Sequence, residues 1–241
     1  MTQDVQWIRK ALIQRKEYDA LQKEIETLRI ELLAADYEAE HASGWFTAKK
    51  KQALIEKRDI LQARLSPLEK NLQGLSPASL RSLADQSQLL NNKHPSATTE
   101  RLVEILNFAV RTELYYTALT KLDSALNECF VEQINVHDQA AITNKTINLS
   151  PVLPLLPAFL DHDACYRNQL HAFNQKSFLA QPLRLQRVDF ARISVMDRRS
   201  ELRFLGKQCQ PLKAELQTIL RKLEDRAICL ISEPAGPRKE N

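Results

Sequence analysis

Glycine is scarce in this chain, and no glycine-rich run is present. The sequence holds 4 glycines among 241 residues, well below the roughly 7% of average proteins. Glycine supplies tight turns and lets the backbone approach a bound phosphate, so its scarcity argues against a phosphate-binding loop. The composition instead favours long helices joined by few tight turns.

Paired cysteines, a signal peptide and long apolar runs are also missing. The four cysteines are scattered, with no Cys-x-x-Cys pair, so we expect them to be reduced and to pack between helices. The N-terminus does not resemble a signal peptide, and no run approaches the ~18 apolar residues that a membrane-spanning helix needs. We therefore expect a cytoplasmic protein without a transmembrane segment.

The charges of the chain nearly balance. There are 34 basic and 30 acidic residues, which give a net charge of +4. Nucleic-acid binding would therefore depend on local clusters of basic residues rather than on the overall charge. The hydrophobic share of 44% is enough for one large domain or two small ones.

Two segments carry an apolar seam whose members recur at alternating steps of four and three residues, as in coiled coils. The first seam is Trp7, Ala11, Gln14, Tyr18, Leu21, Ile25, Leu28, Leu32, Ala35 and Ala39, and the second is Leu54, Arg58, Leu61, Leu65, Leu68, Leu72 and Leu75. If the two helices fold back on each other, Leu28 faces Leu61 and the turn falls near residues 41–47. The seams predict an antiparallel coiled-coil hairpin over residues 1–76.

The charges of the two helices support this pairing. The charged residues within 24–40 are mostly acidic, and those within 49–64 are mostly basic. Flanking charges set orientation in coiled coils. We interpret Lys49 and Lys50, with the lysine that follows them, as partners of the acidic helix. The alternative is that these lysines contact a ligand at the hairpin tip.

The rest of the chain also has helical periodicity. We expect a short helix over residues 78–90, a long helix from about 98 to about 137, and a last long helix over 188–231. The second of these has two adjoining apolar stripes, which predict a central position with more than one neighbour. The predicted fold is an elongated all-α helical bundle over 77–232, preceded by the hairpin.

A proline-rich apolar strap interrupts the helical pattern at residues 150–158. Pro151, Pro154 and Pro157 recur every third residue, which predicts an extended polyproline turn. The strap either packs along the chain's own bundle or is bound by an aromatic groove of a partner. The tail, residues 233–241, is predicted to be disordered.

Residues with catalytic or metal-binding chemistry are few. His162 and Cys165 would share one face of a helix, but no paired metal motif accompanies them. Asp161 and Asp163 are typical of a helix N-cap. We expect no enzyme activity, no cofactor and no metal.

Arginines cluster around the predicted start of the last helix. They are Arg184, Arg187, Arg192, Arg198, Arg199 and Arg203. Of these, Arg192, Arg199 and Arg203 are predicted to line one helix face, which would suit phosphate or an acidic protein surface. The alternative is a solvated face in which nearby carboxylates pair with the arginines.

The sequence therefore favours a non-enzymatic coiled-coil scaffold or adaptor that mediates protein–protein interaction or complex assembly. Its expected partners are other proteins or another copy of the chain. The alternative is a nucleic-acid-binding protein that uses the basic faces of the last helix and the hairpin tip. The predicted partner-binding residues are Trp45, Phe46, Lys49, Lys50, Arg192, Arg199 and Arg203.

The aromatic pair at the predicted tip provides a test. If Trp45 and Phe46 are a binding anchor, replacing both by Ala should abolish partner capture with little change in melting temperature, since anchors carry about 2 kcal/mol or more of binding. If they only cap the hairpin, the same change should cost about 1 to 3 kcal/mol of stability and leave binding intact. Thermal melting and partner capture, measured on the same variant, separate the two hypotheses.

Overall fold

The fold is all-α, as the sequence predicts. The computed structural model describes residues 3–41, 47–131, 148–195 and 199–232. Within these ranges there are six α-helices and one 3-10 helix, and no strand. The α-helices are α1 (Gln3–His41), α2 (Thr47–Gly74), α3 (Leu80–Lys93), α4 (Ala97–Val131), α5 (Leu156–Gln175) and α6 (Arg199–Ser232); the 3-10 helix is Phe190–Val195.

The chain divides into two compact units. The first, Met1–Ser79, contains α1 and α2, and the second, Leu80–Asn241, contains α3 to α6. The predicted domains, 1–76 and 77–232, stay predictions, because compactness alone does not show that a unit folds independently.

In the first unit, α1 packs against α2 through residues of the two predicted seams. Ile25, Leu28, Leu61 and Leu65 form a buried cluster, with three further leucines packed against it. These leucines are Leu32, Leu68 and Leu72. A narrow apolar stripe on each helix therefore suffices to hold the pair together.

Polar contacts show that the two helices run antiparallel. Arg29 Nη2 lies 2.6 Å from Glu69 Oε1, and Arg15 Nη1 donates to the Ala78 carbonyl oxygen at 3.1 Å. An earlier residue of α1 thus meets a later residue of the chain. The predicted turn falls largely on residues 42–46, outside the described residues, and coiled-coil packing itself stays a prediction.

The predicted seam is wrong at Trp7, at the start of α1, although its next member, Ala11, is buried. Trp7 is 43% exposed, whereas its neighbour Ile8 and the next-turn residue Leu12 are fully buried. Trp7, Ile8 and Leu12 are all apolar, so the heptad pattern alone does not show which of them is buried. The side of α1 that is buried therefore changes between its first turns and the Ile25 region.

In the second unit, α4 is the central helix and packs against α3, α5 and α6. Its buried residues cover most of its circumference, as the two predicted stripes indicate. They are Leu102, Val103, Ile105, Leu106, Phe108, Ala109, Thr112, Tyr115, Leu119, Leu122, Asp123, Ala125, Leu126 and Cys129. Leu114 is an exception, with 57% of its surface exposed. The predicted end of this helix, residues 132–137, lies outside the described residues.

A stack of aromatic rings joins α4, α5 and the 3-10 helix. Neighbouring ring centroids lie 4.4 to 5.7 Å apart in the order Phe173, Phe108, Tyr166, Tyr115, Phe159 and Phe190. Offset and edge-on aromatic pairs at such distances add to the stabilisation from area burial. The stack explains why α5 docks on the middle of α4 and why the 3-10 helix docks on α5.

Polar groups at the edge of this stack are satisfied by one another. The Tyr115 hydroxyl donates to Asp163, which also accepts from Arg167 Nε at 2.9 and 3.0 Å. Burial, and then the hydrogen bond to Asp163, raises the pKa of Tyr115. Burial alone would lower the pKa of Arg167, but its bonds and attraction to Asp163 outweigh that effect and raise it. Burial also raises the pKa of Tyr166 to about 12.

The last helix begins later than predicted. Residues 182–189 are non-helical, the 3-10 helix follows, and α6 starts at Arg199 rather than near 188. The backbone of residues 182–189 makes no helical hydrogen bonds, and side chains of other elements bond to it instead. Asn174 Oδ1 accepts from the Leu183 nitrogen at 2.8 Å and its Nδ2 donates to the Leu183 oxygen at 2.9 Å. Glu215 Oε2 accepts from the Gln186 nitrogen at 2.7 Å.

The predicted extended polyproline strap is also wrong. The Leu149 oxygen accepts from the Val152 and Leu153 nitrogens at 2.9 and 3.0 Å, so this segment makes successive turns. These turns lead into α5, where a proline occupies the first turn, a position that needs no backbone donor. Asp161 and Asp163 consequently lie inside α5, and their interpretation as N-caps is wrong.

The cysteines are free, but only two of them pack between helices. Cys129 and Cys209 are buried, whereas Cys165 and Cys229 are exposed. Burial, and then the negative charge of Asp123, raises the pKa of Cys209 to about 12. At neutral pH this thiol is therefore protonated, a state in which it is a poor nucleophile.

A buried ion pair joins α4 to α6. Lys213 Nζ contacts Asp123 Oδ2, and the two side chains are 15% and 5% exposed. Gln210 Nε2 also donates to Asp123 at 3.2 Å. The carboxylate of Asp123 is thus compensated by one cation and one amide from the facing helix.

Removing only the cation of this pair should destabilise the protein strongly. We expect Lys213→Met to lower the free energy of unfolding by about 3 to 5 kcal/mol, because it leaves a buried carboxylate without its cation. The control is Arg58→Met, which removes the partner of Asp59 from an exposed pair and should cost less than about 1 kcal/mol. Urea unfolding checks both, and equal losses would show that Asp123 is not desolvated.

Candidate interaction surface

The predicted partner-binding residues fall in separate parts of the structure. Trp45 and Phe46 lie outside the described residues. Lys49 and Lys50 are exposed near the start of α2. No contact of the kind predicted between these two lysines and the acidic part of α1 occurs among the described residues.

The predicted arginine face does not belong to one helix. Arg192 lies in the 3-10 helix and forms an exposed ion pair with Asp189 at 3.4 Å. Arg203 is exposed on α6, and Arg199 is the first residue of that helix. Because Arg192 belongs to the 3-10 helix and α6 begins only at Arg199, the prediction that the three arginines share one helix is wrong.

A row of large apolar side chains is exposed on α1. Ile30, Leu33 and Tyr37 are 62%, 68% and 64% exposed. Steps of three and four residues place them on one face of the helix. We call these three residues the outer stripe.

The outer stripe lies on the side of α1 that faces away from α2. With 3.6 residues per turn, its centre is roughly 150° around the helix from the seam that contains Ile25, Leu28 and Ala35. Those seam residues are buried. Since α2 packs on the seam, it leaves the outer stripe open to solvent.

Acidic residues occupy both ends of the outer stripe. Glu26 and Glu40 continue its spacing of four and three residues in the two directions, and both are exposed. We call Glu26 and Glu40 the acidic ends. Of the nearby cations, Arg29 already pairs with Glu69 of α2, and Lys23 lies one turn before Glu26. The stripe therefore presents three apolar side chains between two carboxylates.

The aromatic member of the stripe is held in place by its own helix. The ring of Tyr37 stacks on that of His41 with centroids 4.1 Å apart. His41 Nδ1 in turn lies 2.8 Å from the Tyr37 carbonyl oxygen. A side chain that is already ordered loses less entropy when a partner covers it.

Two shallow grooves lie among the described residues of the second unit. The larger, about 700 Å³, lies between the non-helical segment and α6. Its lining is Gln181, Pro182, Leu183, Arg184, Ala214, Glu215, Thr218, Ile219 and Lys222. The smaller, about 260 Å³, lies between α4 and α5 beside the ion pair of Lys176 and Glu104, whose atoms are 2.6 Å apart. Thr218 and Glu215 line the larger groove, but the Thr218 hydroxyl donates to the Ala214 carbonyl oxygen at 2.9 Å and Glu215 accepts from the Gln186 nitrogen.

The weak metal and nucleophile candidates make other contacts. Asp163 is bonded to Tyr115 and Arg167, and Cys165 Sγ accepts from Gln169 Nε2 at 3.1 Å. Across the described ranges, no three His, Cys, Asp or Glu side chains come together as a metal site. None of the helices described there is long and apolar enough to cross a membrane.

Sequence reasoning missed the outer stripe and its acidic ends. It followed the apolar rhythm of the seams and did not consider the opposite side of α1. A second rhythm of three and four residues, Glu26-Ile30-Leu33-Tyr37-Glu40, was the available signal.

No protein family, curated protein or solved structure matches the chain. The chemistry of the exposed surfaces is therefore the basis for assigning a function.

The two sides of α1 should respond differently to the same substitution. We expect Leu33→Ala to change the free energy of unfolding by less than about 0.5 kcal/mol, as exposed positions do. The matched change Leu28→Ala on the buried side should cost about 2 to 5 kcal/mol. Urea unfolding of both variants checks this, and a large loss for Leu33→Ala would mean that the stripe is covered in the folded protein.

Proposed function

We propose that this protein is a non-enzymatic helical adaptor that assembles with other proteins through the outer stripe of α1. The observation that carries the proposal is the exposure of Ile30, Leu33 and Tyr37 on one face of one helix. Single exposed apolar residues are ordinary on protein surfaces, but a contiguous group is typical of an interaction site.

The size of the stripe suits a reversible contact. Burying each of its side chains contributes roughly 1.5 to 3 kcal/mol, while association costs at least ~4 kcal/mol in lost freedom of motion. The remainder corresponds to weak or intermediate affinity unless further residues join the contact. Trp45, Phe46, Lys49 and Lys50, which follow α1 in the sequence, are proposed to extend the surface.

A second proposal is nucleic-acid binding by the basic residues of the second unit. It is favoured by the exposure of Arg184 and Arg187 on the non-helical segment and of Arg203 on α6. The pairing of Arg192 with Asp189 weakens it. Binding of this kind would fall steeply as salt rises, because it depends on counterion release.

We also propose that the protein works in the cytoplasm. Four free cysteines support this, since cysteines stay reduced in that compartment.

The adaptor proposal is tested by making the stripe polar. We expect the triple variant Ile30→Ser, Leu33→Ser and Tyr37→Ser to lose most partners that the wild-type protein captures from its host, with little change in melting temperature. Affinity capture followed by quantitative mass spectrometry measures the loss.

A matched control is the triple variant Ile60→Ser, Leu114→Ser and Phe204→Ser. These residues are comparably exposed but lie on three different helices. The control should keep the captured partners. Equal capture by the stripe variant and the wild-type protein would contradict the proposal.

A further inference from the structure

We infer that the outer stripe, if it serves the proposed adaptor function, binds a partner α-helix that has an apolar stripe with a lysine or arginine at each end. The acidic ends select this partner. The inference rests on the proposed function and adds to it the chemistry of what binds.

The shape of the surface favours a helix as the partner. The outer stripe together with its acidic ends runs about 21 Å along α1 at 1.5 Å per residue, with the three apolar side chains at relative positions i, i+3 and i+7. A partner helix presents its side chains with the same period. An extended peptide would need free backbone donors and acceptors, but those in the middle of α1 already bond within the helix.

The charge of the surface favours a basic partner. Glu26 and Glu40 flank the outer stripe, and Glu31 and Glu38 are exposed elsewhere on the same part of α1. Arg29 is engaged with Glu69, so Lys23 is the remaining cation within residues 23–40 of α1. A partner with acidic flanks would place like charges together, and so would an anionic membrane surface.

The same acidic ends disfavour a second copy of the chain as the occupant. If two outer stripes paired antiparallel, Leu33 would face Leu33 and Glu26 would face Glu40 of the other copy. In a parallel pair each glutamate would face its own counterpart. Both arrangements oppose carboxylates at each end, a repulsion that discriminates against self-association.

The test uses two synthetic helical peptides of the same composition, each about 21 residues long and dye-labelled. Both carry three leucines with the spacing of the stripe. In the first peptide two lysines flank the leucines at the stripe ends, and in the second the two lysines lie on the opposite face. Fluorescence anisotropy with the full-length protein measures their dissociation constants.

We expect the first peptide to bind roughly fivefold more tightly than the second, because two exposed charge pairs of some tenths of a kcal/mol each multiply in the binding constant. The Glu26→Gln, Glu40→Gln variant should bind the two peptides within about twofold of each other. High salt should likewise reduce the preference, since it screens exposed charges. Equal binding of the two peptides by the wild-type protein would overturn the inference.

Different experimental outcomes would contradict this inference and the adaptor proposal. If the serine triple variant loses partner capture while the Glu26→Gln, Glu40→Gln variant keeps its full peptide preference, the adaptor proposal stands and the basic partner is wrong. If the serine variant keeps capturing its partners, the adaptor proposal itself fails. A wild-type dimer in light scattering that the serine variant abolishes would make a second copy the occupant and overturn the inference.

Discussion

A pair of helices can bury only one side of each partner, and this constraint shapes the first unit. The Ile25 and Leu28 side of α1 is covered by α2. Apolar residues on the other side gain no burial within the pair, yet Ile30, Leu33 and Tyr37 lie there. Such residues add nothing to the packing of the pair and expose apolar surface to other molecules, which supports a role in binding.

In the second unit the central helix is buried on most of its surface, because α4 packs against three other helices. Polar groups of its core have partners there: the buried Asp123 has Lys213, and the half-buried Asp163 has Tyr115 and Arg167. The contacts of Asp123 with Lys213 and of Tyr115 with Asp163 each link two helices, so these groups hold the fold together. Because these polar groups are engaged in structural contacts, the exposed face of α1 is the better candidate for binding another molecule.

Charge and apolar area have separate roles in the proposed contact. The three apolar side chains of the outer stripe would supply most of the binding free energy, since their burial removes large apolar surfaces from water. The acidic ends would add little affinity, because exposed ion pairs are weak. They would instead select among helices of similar hydrophobicity and increase the rate at which basic partners bind.

The periodicity of the sequence alone determined the all-α class and placed Ile25, Leu28, Leu61 and Leu65 in two seams that pack together, because a helical seam depends only on local spacing. It did not predict the late start of α6, since Asn174 and Glu215 satisfy the backbone of the preceding segment from distant helices. The role of Asp163 was missed for the same reason, as Tyr115 is 48 residues away. The outer stripe can be found as a second rhythm in α1, but only tertiary packing decides which rhythm α2 covers and which remains exposed.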